Sequence, residues 1–147
     1  MGAYPGLITD WLELVYVIHA DLHLGRYYTP WLSAAQRERW LFVLDVGDIT
    51  ATGTVDLELQ EAQDDAGTGA KAIATKAITQ LTQAGGDGND SCGINLGAAE
   101  MDAANNFDHV RARLDVLVAS ANVSLHVFAN AERYLPPSAA AWTEVIA

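Results

Sequence analysis

The chain has 147 residues, half of them hydrophobic, with 8 basic against 19 acidic side chains and a formal net charge of −11. That length fits one domain with its own apolar core, without need of disulfide staples, and the composition is that of a globular chain. A surface this acidic repels phosphate backbones and anionic lipid, so neither nucleic acid nor membrane is expected as a partner.

Met1-Gly2-Ala3-Tyr4-Pro5 carries no basic start, and no small-residue cleavage site follows an apolar run, so a signal peptide is not expected. Leu12 to Ile18 is apolar but interrupted by Glu13, too short and too charged to cross a bilayer. Residues 1–36 hold six of the twelve aromatic residues: Tyr4, Trp11, Tyr16, Tyr27, Tyr28 and Trp31. Thr9 or Asp10 can cap a short helix here, whereas Val15, Val17 and Ile18 favour a strand; both readings stand. The segment is either an N-terminal arm packing on a neighbouring subunit or the first strands of the main body, and 37–147 is read as a β-sandwich domain.

Leu41 to Val46 reads as a buried strand ended by Gly47-Asp48, and Ala51-Thr-Gly53 as a turn. Thr54 to Glu61 alternates strictly, with Val55, Leu57 and Leu59 against Asp56, Glu58 and Gln60, the pattern of a strand with one wet face. The spacing predicts a hairpin between these two segments. Beyond the loop at Asp64 to Gly69, Ala72-Ile73 and Ala77 to Leu81 read as short extended pieces. Gly85 to Asp90 is a second turn cluster, and Cys92, Ile94 and Leu96 alternate again. Ala98 to Asn106 reads as a loop or single helical turn. Phe107 opens the longest strand, with His109, Arg111, Arg113 and Asp115 on one face and Val110, Ala112, Leu114, Val116 and Val118 on the other. Ala119 to Asn122 is expected to turn it back into Val123 to Phe128 as a hairpin. Arg133 to Pro137 ends the sheet, because proline cannot donate to a ladder, and the tail with Trp142 can dock as a last strand or on a partner. Short strands between turn clusters define an all-β antiparallel sandwich or jelly roll.

Chemistry-bearing constellations are sparse. His19, Asp21 and His23 have a spacing able to bind zinc but lack a further ligand, so a surface histidine pair is expected and no metal. Asp56 and Glu58 share a strand face, as solvating acids commonly do, and the serines have no nucleophile elbow. Gly67-x-Gly69 and Gly85-Gly86-x-Gly88 have no following Lys-Ser pair, so no nucleotide or other cofactor is expected. Cys92 is the sole cysteine, read as a small core residue. Arg111 and Arg113, with His109, form the one basic strip, placed to pair with Asp56 and Glu58 within the sheet or across a subunit boundary. An enzyme is the least supported class. A platform of Tyr27, Tyr28 and Trp31 for sugar rings is the competing reading.

Leu44-Asp-Val-Gly47, Val55 to Ala62, Asp65 to Lys71, Ala77 to Leu81, Ile94-Asn-Leu96, Met101-Asp102, Asn106 to Arg113 and Arg133-Tyr134 together resemble a family of small structural proteins encoded beside capsid genes in tailed phages. The resemblance spans roughly residues 40 to 135 and is one of pattern. It implies a capsid-associated β-sandwich, a decoration or cement protein on the outside of the head. It further implies partners in the major capsid protein and in copies of itself, often as a trimer, with assembly in the host cytoplasm. A neck or tail component is the neighbouring alternative. Trp11, Tyr16, Tyr27, Tyr28, Trp31, Arg111, Arg113 and Trp142 are the expected capsid or subunit contacts.

Overall fold

A computed structural model describes residues 12–130. Eight antiparallel strands carry the fold: β1 (Leu12–Tyr28), β2 (Leu32–Ser33), β3 (Arg39–Ile49), β4 (Thr54–Ala62), β5 (Lys71–Ala77), β6 (Leu81–Thr82), β7 (Ser91–Gly97) and β8 (His109–Asn130). Two 3-10 turns, Ala98–Glu100 and Ala103–Asn105, are the only helical pieces among the described residues.

The 22-residue β8 organises everything else. Its first half pairs with β4, from Ala62 opposite His109 to Thr54 opposite Leu117. Its second half pairs with β3, from Ile49 opposite Ala121 to Trp40 opposite Ala129. Along its other edge runs β1, with Leu12 to His23 against Asn130 to Ala121, and Gly25 to Tyr28 against Val116 to Arg113. β2 continues that edge at Leu32 and Ser33. One sheet is thereby folded over at the middle of β8 into two leaves. β7 extends one leaf beyond β3, and β5 and β6 extend the other beyond β4. At the far seam the Lys76 ammonium reaches from β5 to the Asn95 carbonyl (2.7 Å) and to Glu100 (2.8 Å), nearly closing the sandwich into a barrel.

Period-two patterning fills the interior. Phe42, Leu44 and Val46 from β3, Val55, Leu57 and Leu59 from β4, and Val110, Leu114, Val116, Val123 and Leu125 from β8 all lie in one buried cluster. At about 25 cal/mol per Å² of apolar surface removed from water, this cluster is the main favourable term in the fold.

The all-β class is as expected, but several local expectations are corrected. Leu12 to Tyr28 is a strand, which settles the helix-or-strand alternative. β3 and β4 do not form a hairpin with each other; each joins a different half of β8, because the Thr50–Gly53 connection carries the chain from leaf to leaf. Gly47-Asp48 does not end β3, which bulges there and runs on to Ile49. Ala119 to Asn122 is not a hairpin turn: β8 continues through it as one strand, bulging at 117–120 and resuming its ladders to β1 and β3 at Ala121. Strand β8 opens at His109, with Phe107 buried just ahead of it. Val118 faces solvent at 75% exposure, off the buried face. Cys92 is only half-buried, at the β5–β7 seam, where burial and then Asp90 and Asp87 push its thiol up, away from thiolate reactivity. Arg133 to Pro137 and the tail lie outside the described residues.

Candidate interaction surface

The basic strip is engaged within its own sheet. Arg113 sits opposite Glu58 at 3.4 Å and also reaches Asp115 at 3.4 Å. Arg111 donates to Gln60 Oε1 at 2.9 Å, and its guanidinium lies over Tyr28 (3.9 Å) and Trp31 (4.3 Å). Such stacking is strong because guanidinium is planar and weakly hydrated. Trp31 is held from a second side by the tight turn at Gly67 (φ +86°), where an added Cβ would fall 2.7 Å from the indole nitrogen. That turn is built by Asp64, whose carboxylate accepts from Thr68 N (2.8 Å), Thr68 Oγ1 (2.5 Å) and Ala66 N (3.1 Å), which holds its pKa below the ordinary range. Tyr28 and Trp31 therefore grip an arginine, Tyr28 staying 41% exposed, and Tyr27 is bonded through its hydroxyl to Leu24. Asp56 accepts from Gln80 at 2.8 Å.

Asp115 is buried and takes a bidentate pair from Arg26, at 2.7 and 2.9 Å, which raises the arginine pKa. At the opposite end of that leaf, Lys71 bonds Asp102 at 2.6 Å and lies 4.0 Å from the Phe107 ring centre; its pKa is raised and that of Asp102 lowered. Tyr16 packs half-buried against the core from β1. His23 Nε2 lies 3.0 Å from the His19 carbonyl oxygen, and among the described residues no three His, Cys, Asp or Glu side chains converge on a common point. Trp11 and Trp142 lie outside the described residues.

A different surface is exposed and apolar: the corner where β1 and β8 cross from leaf to leaf. Leu22 (59% exposed), Leu24 (57%), Leu117 (39%) and Val118 (75%) gather there. Opposite Leu24, the register skips from Ala121 to Val116, so residues 117–120 bulge out of the ladder. Gly25 allows β1 to follow the bend at φ +131°, a conformation that side chains rarely adopt. The bulge leaves the Leu24 backbone without a partner on β8, and the Tyr27 hydroxyl replaces it, donating to Leu24 O (3.0 Å) and accepting from Leu24 N (3.3 Å). The His23 ring packs edge-on against Tyr27, with centroids 4.9 Å apart. On the other side, Thr50 N donates to Ser120 O (2.9 Å). Gly53 is buried so close that a Cβ would stand 3.0 Å from Ala119 O. Val118 itself is held at φ +68°, a rare and strained state for a β-branched residue. The corner is thus braced by specific bonds while its apolar tips point to water.

Acids border it. Asp21, next to Leu22, and Asp48, beside Asn122, are exposed and pair with no Lys or Arg among the described residues. Asp21 and Asp45 line one shallow groove of about 420 Å³ with Gly47, Asn122 and Ser124. Sequence reading missed this corner, although its signal is visible: Val116-Leu117-Val118 breaks strict alternation, so one residue has to leave the buried face.

No family model matches the chain, and no curated protein does. Among solved structures, a chain from "Structure of infectious bursal disease virus Gx strain" is similar over 93% of this chain, at 13% identity and a TM-score of 0.37. This chain spans 37% of that one's length. A likeness of that size decides nothing about role or partner.

Proposed function

We propose that this protein is a non-catalytic structural component of a virus particle, a decoration or cement protein that braces major capsid subunits from outside the head. The observation that carries the reading is the braced apolar corner at Leu22, Leu24, Leu117 and Val118, on an otherwise acidic β-sandwich. Exposed apolar side chains held in a fixed, strained geometry favour contact with another surface. The pattern resemblance over residues 40 to 135 supports the same class.

The mechanism is clamping. The four side chains expose on the order of 400 Å² of apolar surface, the upper part of what a typical monomer shows in one patch. A partner of equal area gives a contact of about 800 Å² in total, below the ~1,200–2,000 Å² of standard stable interfaces. One corner therefore binds weakly, and stable occupancy requires several corners carried together, as a homotrimer on a repeating lattice would present them. Prising subunits apart then also exposes each buried corner to water. Trp11 and Trp142 are assigned to contacts with the capsid or between copies.

The test is copy number, by quantitative mass spectrometry of purified particles against the major capsid protein. A ratio near one, or a simple fraction of it, is expected. A handful of copies would move the protein to the neck or tail, and absence from particles would end the structural reading.

A further inference from the structure

We infer that the corner at Leu22, Leu24, Leu117 and Val118 docks on a different protein, into an apolar hollow flanked by Lys or Arg side chains, and not on a second copy of this chain. The inference deepens the structural reading above and rests on it.

Charge chooses this occupant over a second copy. The chain carries −11 overall, and the corner is bordered by Asp21 and Asp48, with Asp45 across the adjoining groove. Two copies meeting corner to corner would bring these carboxylates together with no basic group between them. Six of the chain's eight Lys and Arg residues are engaged away from the corner: Arg26 holds Asp115, Arg37 holds Glu13, Lys71 holds Asp102, Lys76 holds Glu100, Arg113 holds Glu58, and Arg111 is stacked on two rings. Exposed Arg39 stands at the start of β3, the end of that strand away from Asp45 and Asp48, and Arg133 lies outside the described residues. A partner hollow with a basic rim avoids this repulsion: it accepts the leucines and Val118, and it places cations against Asp21, Asp45 and Asp48. Opposite charge at the rim accelerates encounter, while the apolar centre sets residence time.

The experiment places a photo-crosslinking benzoylphenylalanine at Val118 (Val118→p-benzoylphenylalanine) in the full chain, assembled into particles from the source. The same residue at exposed Ala104, beyond the opposite end of β8's first half, is the control. The expected product is an adduct from position 118, not 104, to a different particle protein, on a peptide whose apolar residues lie beside Lys or Arg. In parallel, Leu24→Ser with Val118→Ser lowers particle occupancy about tenfold or more, since burying two such side chains contributes a few kcal/mol. Occupancy of the parent protein falls as NaCl rises from about 0.05 to about 0.5 M, whereas Asp21→Asn with Asp48→Asn flattens that dependence. Adducts to a second copy of this chain overturn the choice of partner. Full occupancy with no adduct from 118 above the control overturns the docking site and leaves the structural role standing. Absence from particles removes the structural role, and this inference with it.

Discussion

Val118→Asn should make the protein more stable while weakening its attachment. A side chain in the left-handed region costs roughly 1–2 kcal/mol, and strained non-glycine positions run to about 3. Valine at φ +68° belongs toward the upper part of that range because it is β-branched. Asparagine tolerates this conformation, so the substitution recovers between about 1 and 2 kcal/mol. Against this stands the lost burial of valine. Its side chain is 75% exposed, and full burial is worth about 1.5–3 kcal/mol, so the loss is roughly 0.5 kcal/mol. The net effect is a gain of about 1 kcal/mol, or a rise in Tm of about 3 °C for a chain of this size. Urea unfolding followed by tryptophan fluorescence should show a higher midpoint at unchanged slope. A midpoint lowered by a comparable amount would refute the strain argument, and unchanged particle occupancy of the variant would refute the claim that strain is kept there for contact.

Three further outcomes follow from other parts of the structure. Gly53→Ala should destabilise by about 2 kcal/mol, measured as a Tm loss, because the new methyl would stand 2.8 Å from Thr50 O and 3.0 Å from Ala119 O. Glu13→Ala should cost about 2 kcal/mol by removing the buried carboxylate that pairs with the Arg37 guanidinium at 2.8 Å, while the arginine keeps its bond to Asn130 O at 2.8 Å; the loss is read in the same denaturation assay. Asp64, Glu100 and Asp102 have lowered pKa values, so their stabilisation is complete above the ordinary carboxylate values of about 3.9 and 4.3 and is lost as pH falls below them. The urea midpoint should therefore drop on acidification below about pH 4, less steeply in Asp64→Ala, and an identical slope in that variant would exclude the Asp64 turn as a contributor.

The fold class was legible because Val55-Leu57-Leu59, Val110-Ala112-Leu114 and Val123-Leu125-Val127 alternate as half-buried strands must. Pairing was not legible, because alternation fixes which face is buried and says nothing about which strand lies alongside. Nearest neighbours in sequence were assumed to pair, and here β3 and β4 each prefer half of a strand some 50 to 90 residues later. The Arg113–Glu58 pairing could be read from shared face and opposite charge. The stacking of Arg111 on Tyr28 and Trp31 could not, since it depends on β1 lying beside β8. The apolar corner was obscured because Leu117 and Val118 look like core until the bulge turns them outward.

Placing the shared strand so late in the chain also sets the timetable of folding. β1, β3 and β4 take their ladders from β8, and β1 has no other partner among the described strands. During synthesis at about 5–20 residues per second, the 102 positions that separate Tyr28, at the end of β1, from Asn130 pass in roughly 5–20 s before the sheet can be completed. Throughout that interval Leu14, Phe42, Leu44, Val55 and Leu57 have no finished interior to enter. Such long-range closure is intrinsically slow and leaves strand edges open to neighbouring chains. The strong negative charge, by keeping nascent copies apart, protects the chain over the period when its eventual core is still exposed.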